Sequence, residues 1–302
     1  MKFYICGHNG WIGAMMCRLL DEKSIPYVKS TSRAENVEEL EKEIATEAPT
    51  HIMSFIGRTH GTFKDKYYST IDYLEQEGKV KENVRDNLFS PMILSILSVK
   101  YNAHYTYLGT GCIFKYDEQH KQEDLSGGFL ETDVPNFFGS SYSIVKGYTD
   151  QLMKLQNSLN LRIRMPITDK LEPRNFITKI TKYDKICSVP NSMTVLDELL
   201  PIALDMATKK TTGTFNFTNP GVITHNEILE MYRDMVDPNF KWENFSQEEQ
   251  RAILDADRSN NLLNTKKLEE SYPEVKPIQE AVKEVFERMK SRTQEKPEES
   301  SM

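Results

Sequence analysis

Lys2-Phe3-Tyr4-Ile5-Cys6-Gly7-His8-Asn9-Gly10-Trp11-Ile12-Gly13 opens the chain. The first five of these residues read as a short buried strand. Glycines 7, 10 and 13 follow at once, and residues 11–20 then place Ile12, Met15, Met16, Leu19 and Leu20 on one side of a helix. A glycine turn between strand and helix allows a tight bend, close approach of backbone to a pyrophosphate, and N–H groups at the helix start to meet it. A GxxGxxG spacing alone is an ordinary glycine turn. Its place after a strand and at a helix start makes nucleotide binding the better reading.

Outward from this turn the pattern repeats. Residues 27–30 read as a strand, 37–47 as a Glu-rich helix stopped by Pro49, and 51–55 as a third strand. Residues 84–99 are mainly helical, with Pro91 an awkward interior residue; 105–108 is a strand, 142–155 a helix and 161–164 a strand. Strands alternating with helices predict βαβ units and a mainly parallel sheet. The second half is less regular: a helix from near Val195 to Met206, a strand at 215–217, and a Thr224…Glu227 capping box opening a helix to about Met235. The expectation is an α/β, Rossmann-type doubly wound sheet over residues 1–165, with later segments returning to it. A smaller α/β substrate-binding region over 166–286 and a disordered tail over 287–302 complete it.

The 302 residues suffice for one large or two medium domains. A net charge of −7 speaks against a nucleic-acid groove, and no run approaches the roughly 18 apolar residues of a membrane span. Cys6, Cys17, Cys112 and Cys187 are scattered, and the six histidines have no metal spacing. This predicts no zinc site and no disulfide framework, suits a reducing compartment, and leaves each histidine as a surface or core residue. The start of the chain lacks a signal peptide's apolar region, so a cytoplasmic protein is expected.

After the second strand, where a carboxylate would hold the ribose of NAD, stands Ser30-Thr31-Ser32-Arg33. Ser32 and Arg33 suit a 2′-phosphate and favour NADPH, while nearby Glu35 keeps NADH open. Tyr142 and Lys146 at i, i+4 share one helix face, where an ammonium can lower the phenol pKa for proton delivery. Thr110 and Cys112, in a glycine-flanked loop at a strand's carboxyl end, should face the cleft.

Together Gly7/Gly10/Gly13, Thr110 and Tyr142/Lys146 resemble the extended short-chain dehydrogenase/reductase family. Arg164-Met165-Pro166, the Pro173-Arg174-Asn175-Phe176-Ile177-Thr178-Lys179 run, residues 190–199 and 216–221, and Arg258-Ser259-Asn260-Asn261 narrow this. They resemble the nucleotide-rhamnose synthase/epimerase-reductases of plants over about residues 2–286; residues 57–81 depart from that pattern.

The resemblance implies a bifunctional 3,5-epimerase/4-reductase that turns UDP-4-keto-6-deoxy-D-glucose into UDP-L-rhamnose with NADPH. It implies Thr110, Tyr142 and Lys146 as the reductase triad and Cys112 with Lys179 as the epimerising pair, base and acid unassigned. Gly7, Asn9, Gly10, Trp11, Ile12, Gly13, Ser32, Arg33 and Asn87 would serve the cofactor, with the Trp11 indole leaning to core packing. Asn175 and Arg258 would join Thr110 and Cys112 on the substrate. Related 4,6-dehydratases carry an acidic pair where Gly111 and Cys112 stand, so the substrate must come from a separate dehydratase. Nucleic acid and membrane are not expected partners, and a homodimer is left open, as is dTDP in place of UDP. Two alternatives stand beside this reading: a single-function or GDP-fucose-synthase-like nucleotide-sugar reductase, and a non-catalytic cofactor-binding regulatory subunit.

Overall fold

Phe3–Cys6 (β1) is buried at every residue, and its alternation sends Phe3 and Ile5 to one face of a sheet and Tyr4 and Cys6 to the other. The chain continues through α1 (Trp11–Glu22), β2 (Tyr27–Lys29), α2 (Val37–Glu47) and β3 (His51–Ser54). β1 lies between the other two strands, parallel to both, in register Phe3↔Tyr27 and Phe3↔His51. A hairpin absent from the expectation follows, β4 (Gly61–Phe63) and β5 (Lys66–Tyr68). The structure, a computed structural model, describes residues 1–294.

Next come α3 (Val80–Val84), a π-helical turn (Arg85–Phe89) and α4 (Ser90–Lys100). Pro91 accounts for this interruption. It has no N–H to donate four residues back, to the Asn87 carbonyl, and its ring crowds that turn. The freed Asn87 oxygen accepts instead from the Thr149 hydroxyl at 2.6 Å. Thr149 lies on the helix of Tyr142 and Lys146, so the proline ties two walls of the cleft together.

β6 (His104–Thr110), α5 (Ser141–Met153) and β7 (Ser158–Ile163) extend the sheet. Past α6 (Phe176–Ile180) and β8 (Lys185–Ile186), α7 (Leu196–Thr208) and β9 (Gly213–Asn216) return to it. The strand order is β2-β1-β3-β6-β7-β9, all parallel, as the alternation predicts. Helices cover both faces. Met16 and Leu20 of α1 with Leu199, Ala203 and Met206 of α7 pack on one; Leu40 and Ile44 of α2 with Leu94 and Leu97 of α4 pack on the other. Burying each large apolar side chain here stabilises the fold by about 1.5–3 kcal/mol. Under β7, Arg162 is fully buried and donates from Nε and Nη2 to Asp150 at 2.8 and 2.7 Å.

The chain ends in α8 (His225–Met235), β10 (Glu243–Asn244), α9 (Gln247–Ile253), α10 (Lys266–Ser271) and α11 (Ile278–Gln294). Thr224 and Glu227 form the expected capping box. A second core joins α6, α8 and α11 through Ile177, Ile180, Ile228, Val282, Val285 and Phe286. The expected tail is corrected here: residues 287–294 continue α11. Val282, Val285, Phe286 and Met289 keep helical spacing, Met289 is buried, and Arg288 and Arg292 pair with Asp169. Only the 295–302 part of that expectation lies outside the described residues. Among the described residues no helix is long and apolar enough to cross a membrane.

Candidate functional site

At the carboxyl ends of β1, β3, β6 and β7 a cavity of about 400 Å³ runs from the glycine turn to α6. Gly7 has φ +80°, and a Cβ on Gly13 would lie 2.2 Å from the Gly7 carbonyl oxygen. Both positions therefore require glycine. Gly10 precedes α1 with no side-chain cap, leaving first-turn N–H groups for a ligand. Trp11, Ile12 and Gly13 line the cavity; Trp11 also packs on the core, as expected, and Asn9 is exposed. These features fit a pyrophosphate.

Ser32 and Arg33 lie beyond β2 and do not line the cavity. Glu43 of α2 accepts from the Thr31 and Ser32 N–H groups at 2.8 and 2.9 Å. Arg33 pairs with Glu35 at 3.2 Å, and Arg85 of the π turn meets the same carboxylate at 3.0 Å. Two guanidinium groups thus converge at the position where a 2′-phosphate is expected. Arg85 went unremarked in the sequence because it reaches this point from a helix 50 residues on.

The Asn87 amide lines the cavity, donates to the Arg58 carbonyl and accepts from the Arg58 N–H at 2.9 and 3.0 Å. It fixes the loop after β3. Thr110 Oγ1 accepts from the Cys112 N–H at 3.1 Å, and Ser143 Oγ donates to the Cys112 carbonyl at 2.7 Å. Cys112 is half-buried, whereas the other three thiols are buried.

Tyr142 and Lys146 both face the cavity, but not as the pairing predicts. Lys146 Nζ donates to Tyr107 Oη at 2.5 Å. Burial raises the Tyr142 pKa rather than lowering it; the Thr110 hydroxyl and the charge of Arg174 pull the other way, and Lys146 is not among the causes. Burial also brings Lys146 down to about 8 against the pull of Asp150 and Cys112. Lys179 on α6 is brought down to about 8 by burial, then by Arg174 and Arg258. Among the described residues no hydrogen-bond or ion-pair partner holds its ammonium.

Arg258 lines the cavity and donates to the Ala256 carbonyl at 2.7 Å and to the Asp72 carboxylate. Asn175 does not reach it. This substrate-binding expectation is corrected: Asn175 is fully buried, caps α6 through the Ile177 N–H, and donates to the Thr168 and Lys170 carbonyls. Its polar atoms are spent on the turn. The sequence reading also missed Arg174, Tyr183 and His60, which line the cavity; His60 was expected to be a plain surface or core residue.

Among the described residues no carboxylate lines this cavity, whereas Lys146, Arg164, Arg174, Lys179 and Arg258 all do. The acidic chain thus focuses positive charge at one place, which favours an anionic ligand. A polar hollow of about 460 Å³ beside α7 and α11 differs in kind: Asp169 is matched there by Arg288 and Arg292, and Lys276 by Glu284. Among the described residues no group of His, Cys, Asp and Glu could hold a metal ion.

A six-stranded parallel sheet with a glycine turn after β1, and Thr110, Tyr142 and Lys146 gathered at its carboxyl edge, defines a nucleotide-binding protein of the extended short-chain dehydrogenase/reductase class. No protein-family model matches the chain. It is 55% identical over 292 residues to protein L780 of Acanthamoeba polyphaga mimivirus, covering 96% of this chain and 99% of that one. The crystal structure of the L780 UDP-rhamnose synthase matches with a TM-score of 0.91. The chain is 43% identical over 290 residues to the bifunctional dTDP-4-dehydrorhamnose 3,5-epimerase/dTDP-4-dehydrorhamnose reductase of Arabidopsis thaliana, covering 95% of this chain and 93% of that one. The chain belongs to this family of nucleotide-rhamnose epimerase/reductases.

Proposed function

We propose that the chain converts UDP-4-keto-6-deoxy-D-glucose to UDP-L-rhamnose with NADPH, as both 3,5-epimerase and 4-ketoreductase. One observation carries this reading: Thr110, Tyr142, Lys146, Cys112 and Lys179 line a single cavity that begins at the glycine turn. UDP is favoured over dTDP by the 55% identity to a UDP-rhamnose synthase. Four free thiols suit a cytoplasmic setting.

Gly7, Gly10 and Gly13 would hold the dinucleotide's pyrophosphate, with Arg33 and Arg85 at its 2′-phosphate. When bound, NADPH supplies a hydride for C4 of the sugar. The protein's own groups do the rest. The C3 and C5 protons are both α to the ketone. One of Cys112 and Lys179 removes each as base, and the other returns a proton to the opposite face, inverting the centre. Thr110 and Tyr142 donate to the C4 oxygen and stabilise the enolate between the two transfers. Lys179, titrating near 8, is poised for either role at neutral pH. In the reduction Tyr142 gives its proton to the C4 oxygen. Thr110 orients that phenol, and Lys146 would hold the nicotinamide ribose.

Gly111 and Cys112 stand where a dehydratase needs its acid and base, so a separate 4,6-dehydratase must supply the ketosugar. Consumption of NADPH on adding that ketosugar, compared with NADH, tests the reductase half and the cofactor choice. No consumption with either would refute the reductase assignment. The presence of both Tyr142 and Lys146 disfavours a non-catalytic regulatory role.

A further inference from the structure

Arg174 is held by neutral acceptors and keeps N–H donors to spare. Its Nη1 donates to His60 Nε2 at 2.6 Å, and its Nη2 donates to Thr59 Oγ1 at 3.0 Å. Both acceptors are neutral: a ring nitrogen that accepts from a guanidinium carries no proton, and burial, Arg174, Arg58 and Lys179 bring His60 down to about 4. The neighbouring cations are committed elsewhere. Arg58 meets Asp86 at 2.9 Å, and Arg258 meets Asp72. Arg164 is fully buried and donates to the Gly111, Ser192 and Ser259 carbonyls. Among the described residues no carboxylate lies within ion-pair distance of Arg174.

The bonds also cross the cleft. Thr59 and His60 belong to the loop after β3, which Asn87 fixes by both its N–H and its carbonyl at Arg58. Arg174 stands just before Asn175, the cap of α6, and α6 carries Lys179. The guanidinium is therefore held in place before any ligand arrives. It has five N–H donors and spends two of them here, on partners that leave its charge uncompensated.

We propose that Arg174 binds the diphosphate of the nucleotide sugar, together with Arg258, and that His60 and Thr59 hold it ready through neutral acceptors. The proposal rests on the reading above in taking a nucleotide sugar as the ligand. The ketone oxygen already has Thr110 and Tyr142. The diphosphate is the substrate's only fixed charge, and Arg258, the other guanidinium of the cavity with N–H groups to spare, shares its charge with Asp72. A planar guanidinium matches two phosphate oxygens at once, and Lys in its place offers only a point charge. A carboxylate at position 60 would cancel the charge; a neutral imidazole positions it without doing so.

The test is calorimetric titration of UDP, and separately dTDP, into the full-length wild type, Arg174→Gln, Arg174→Lys and His60→Asp. NADPH affinity is measured on each to check that the cleft is intact. Arg174→Gln should bind the nucleoside diphosphate roughly tenfold or more weakly, the cost of losing a hydrogen bond between charged groups. Arg174→Lys should recover part of that loss. His60→Asp should weaken UDP although Arg174 is still present, because its carboxylate occupies the guanidinium. Unchanged UDP affinity in Arg174→Gln or in His60→Asp, with NADPH binding intact, overturns the proposal. If the wild type binds neither UDP nor dTDP, the nucleotide-sugar reading itself fails, and this proposal falls with it.

Discussion

Lys146 Nζ donates to Tyr107 Oη at 2.5 Å rather than meeting Tyr142, four residues back on the same helix face. Tyr107 is on β6, the strand that ends at Thr110. The lysine is thus anchored to the strand that carries Thr110, and the ammonium also lies 4.7 Å from the Tyr107 ring centroid. This contact fixes Lys146 at a buried position where a cation would otherwise be costly.

Tyr107→Phe keeps the ring and removes the acceptor. A buried ammonium losing its hydrogen bond should lower stability by about 1–3 kcal/mol. Urea unfolding measures it. A variant as stable as the wild type would show that Tyr107 does not anchor the lysine.

The glycine turn makes a graded prediction. A Cβ on Gly13 would lie 2.2 Å from the Gly7 carbonyl oxygen, against 3.2 Å for one on Gly10. Gly13→Ala must therefore displace the Gly7 carbonyl outright, whereas Gly10→Ala asks the same oxygen for only a small shift. NADPH titration followed by fluorescence should show a loss of at least about tenfold for Gly13→Ala, a cost above 1.4 kcal/mol, and a smaller loss for Gly10→Ala. The reverse order would disprove the steric argument.

Acid should weaken the fold through the sheet's amino edge. His51 stacks on Phe3 with ring centroids 4.6 Å apart and lies beside His104. Burial, then His104, Lys210 and the N-terminus, bring its pKa from 6.5 to about 4. Between these values the unfolded chain binds more protons than the folded one, so stability is full above 6.5 and falls as pH drops toward 4. The loss from His51 is on the order of 3 kcal/mol at most. His51→Phe should flatten the pH dependence of the urea midpoint across that window. The same slope in both proteins would remove His51 from the account.

Solvent deuterium separates the two halves of the reaction. Cys112→Ala and Lys179→Met should each cut deuterium uptake at C3 and C5 by about a hundredfold or more, the scale of a general acid or base, while binding NADPH as the wild type does. Tyr142→Phe should stop reduction yet leave measurable exchange. Uptake at the wild-type rate in Cys112→Ala would rule the thiol out of the mechanism.

Much of this was legible in the sequence because it rests on local signals. Apolar periodicity and the glycine turn located β1, α1, α2 and the parallel sense of the sheet, with α2 matched at both ends and β1 and α1 to within about two residues. Thr224 and Glu227 announced their own cap. Pro91 marked a disturbance, but not that the freed Asn87 carbonyl would receive Thr149. What stayed hidden depends on distant partners. Arg174 and His60 are 114 residues apart, and neither segment signals the other. Lys146 and Tyr142 satisfied the helix spacing, yet the lysine's partner came from a strand 39 residues earlier. Asn175 lay within a motif read as functional, although its residue type is equally suited to capping α6. The charged end of α11 concealed Val285, Phe286 and Met289 at helical spacing.

The central claim is that one cavity both inverts two carbons and reduces a third. The most direct measurement is NMR of the sugar formed from UDP-4-keto-6-deoxy-D-glucose and NADPH. The account predicts UDP-L-rhamnose, with C3 and C5 inverted and C4 reduced. A 4-reduced sugar with C3 and C5 unchanged would contradict it.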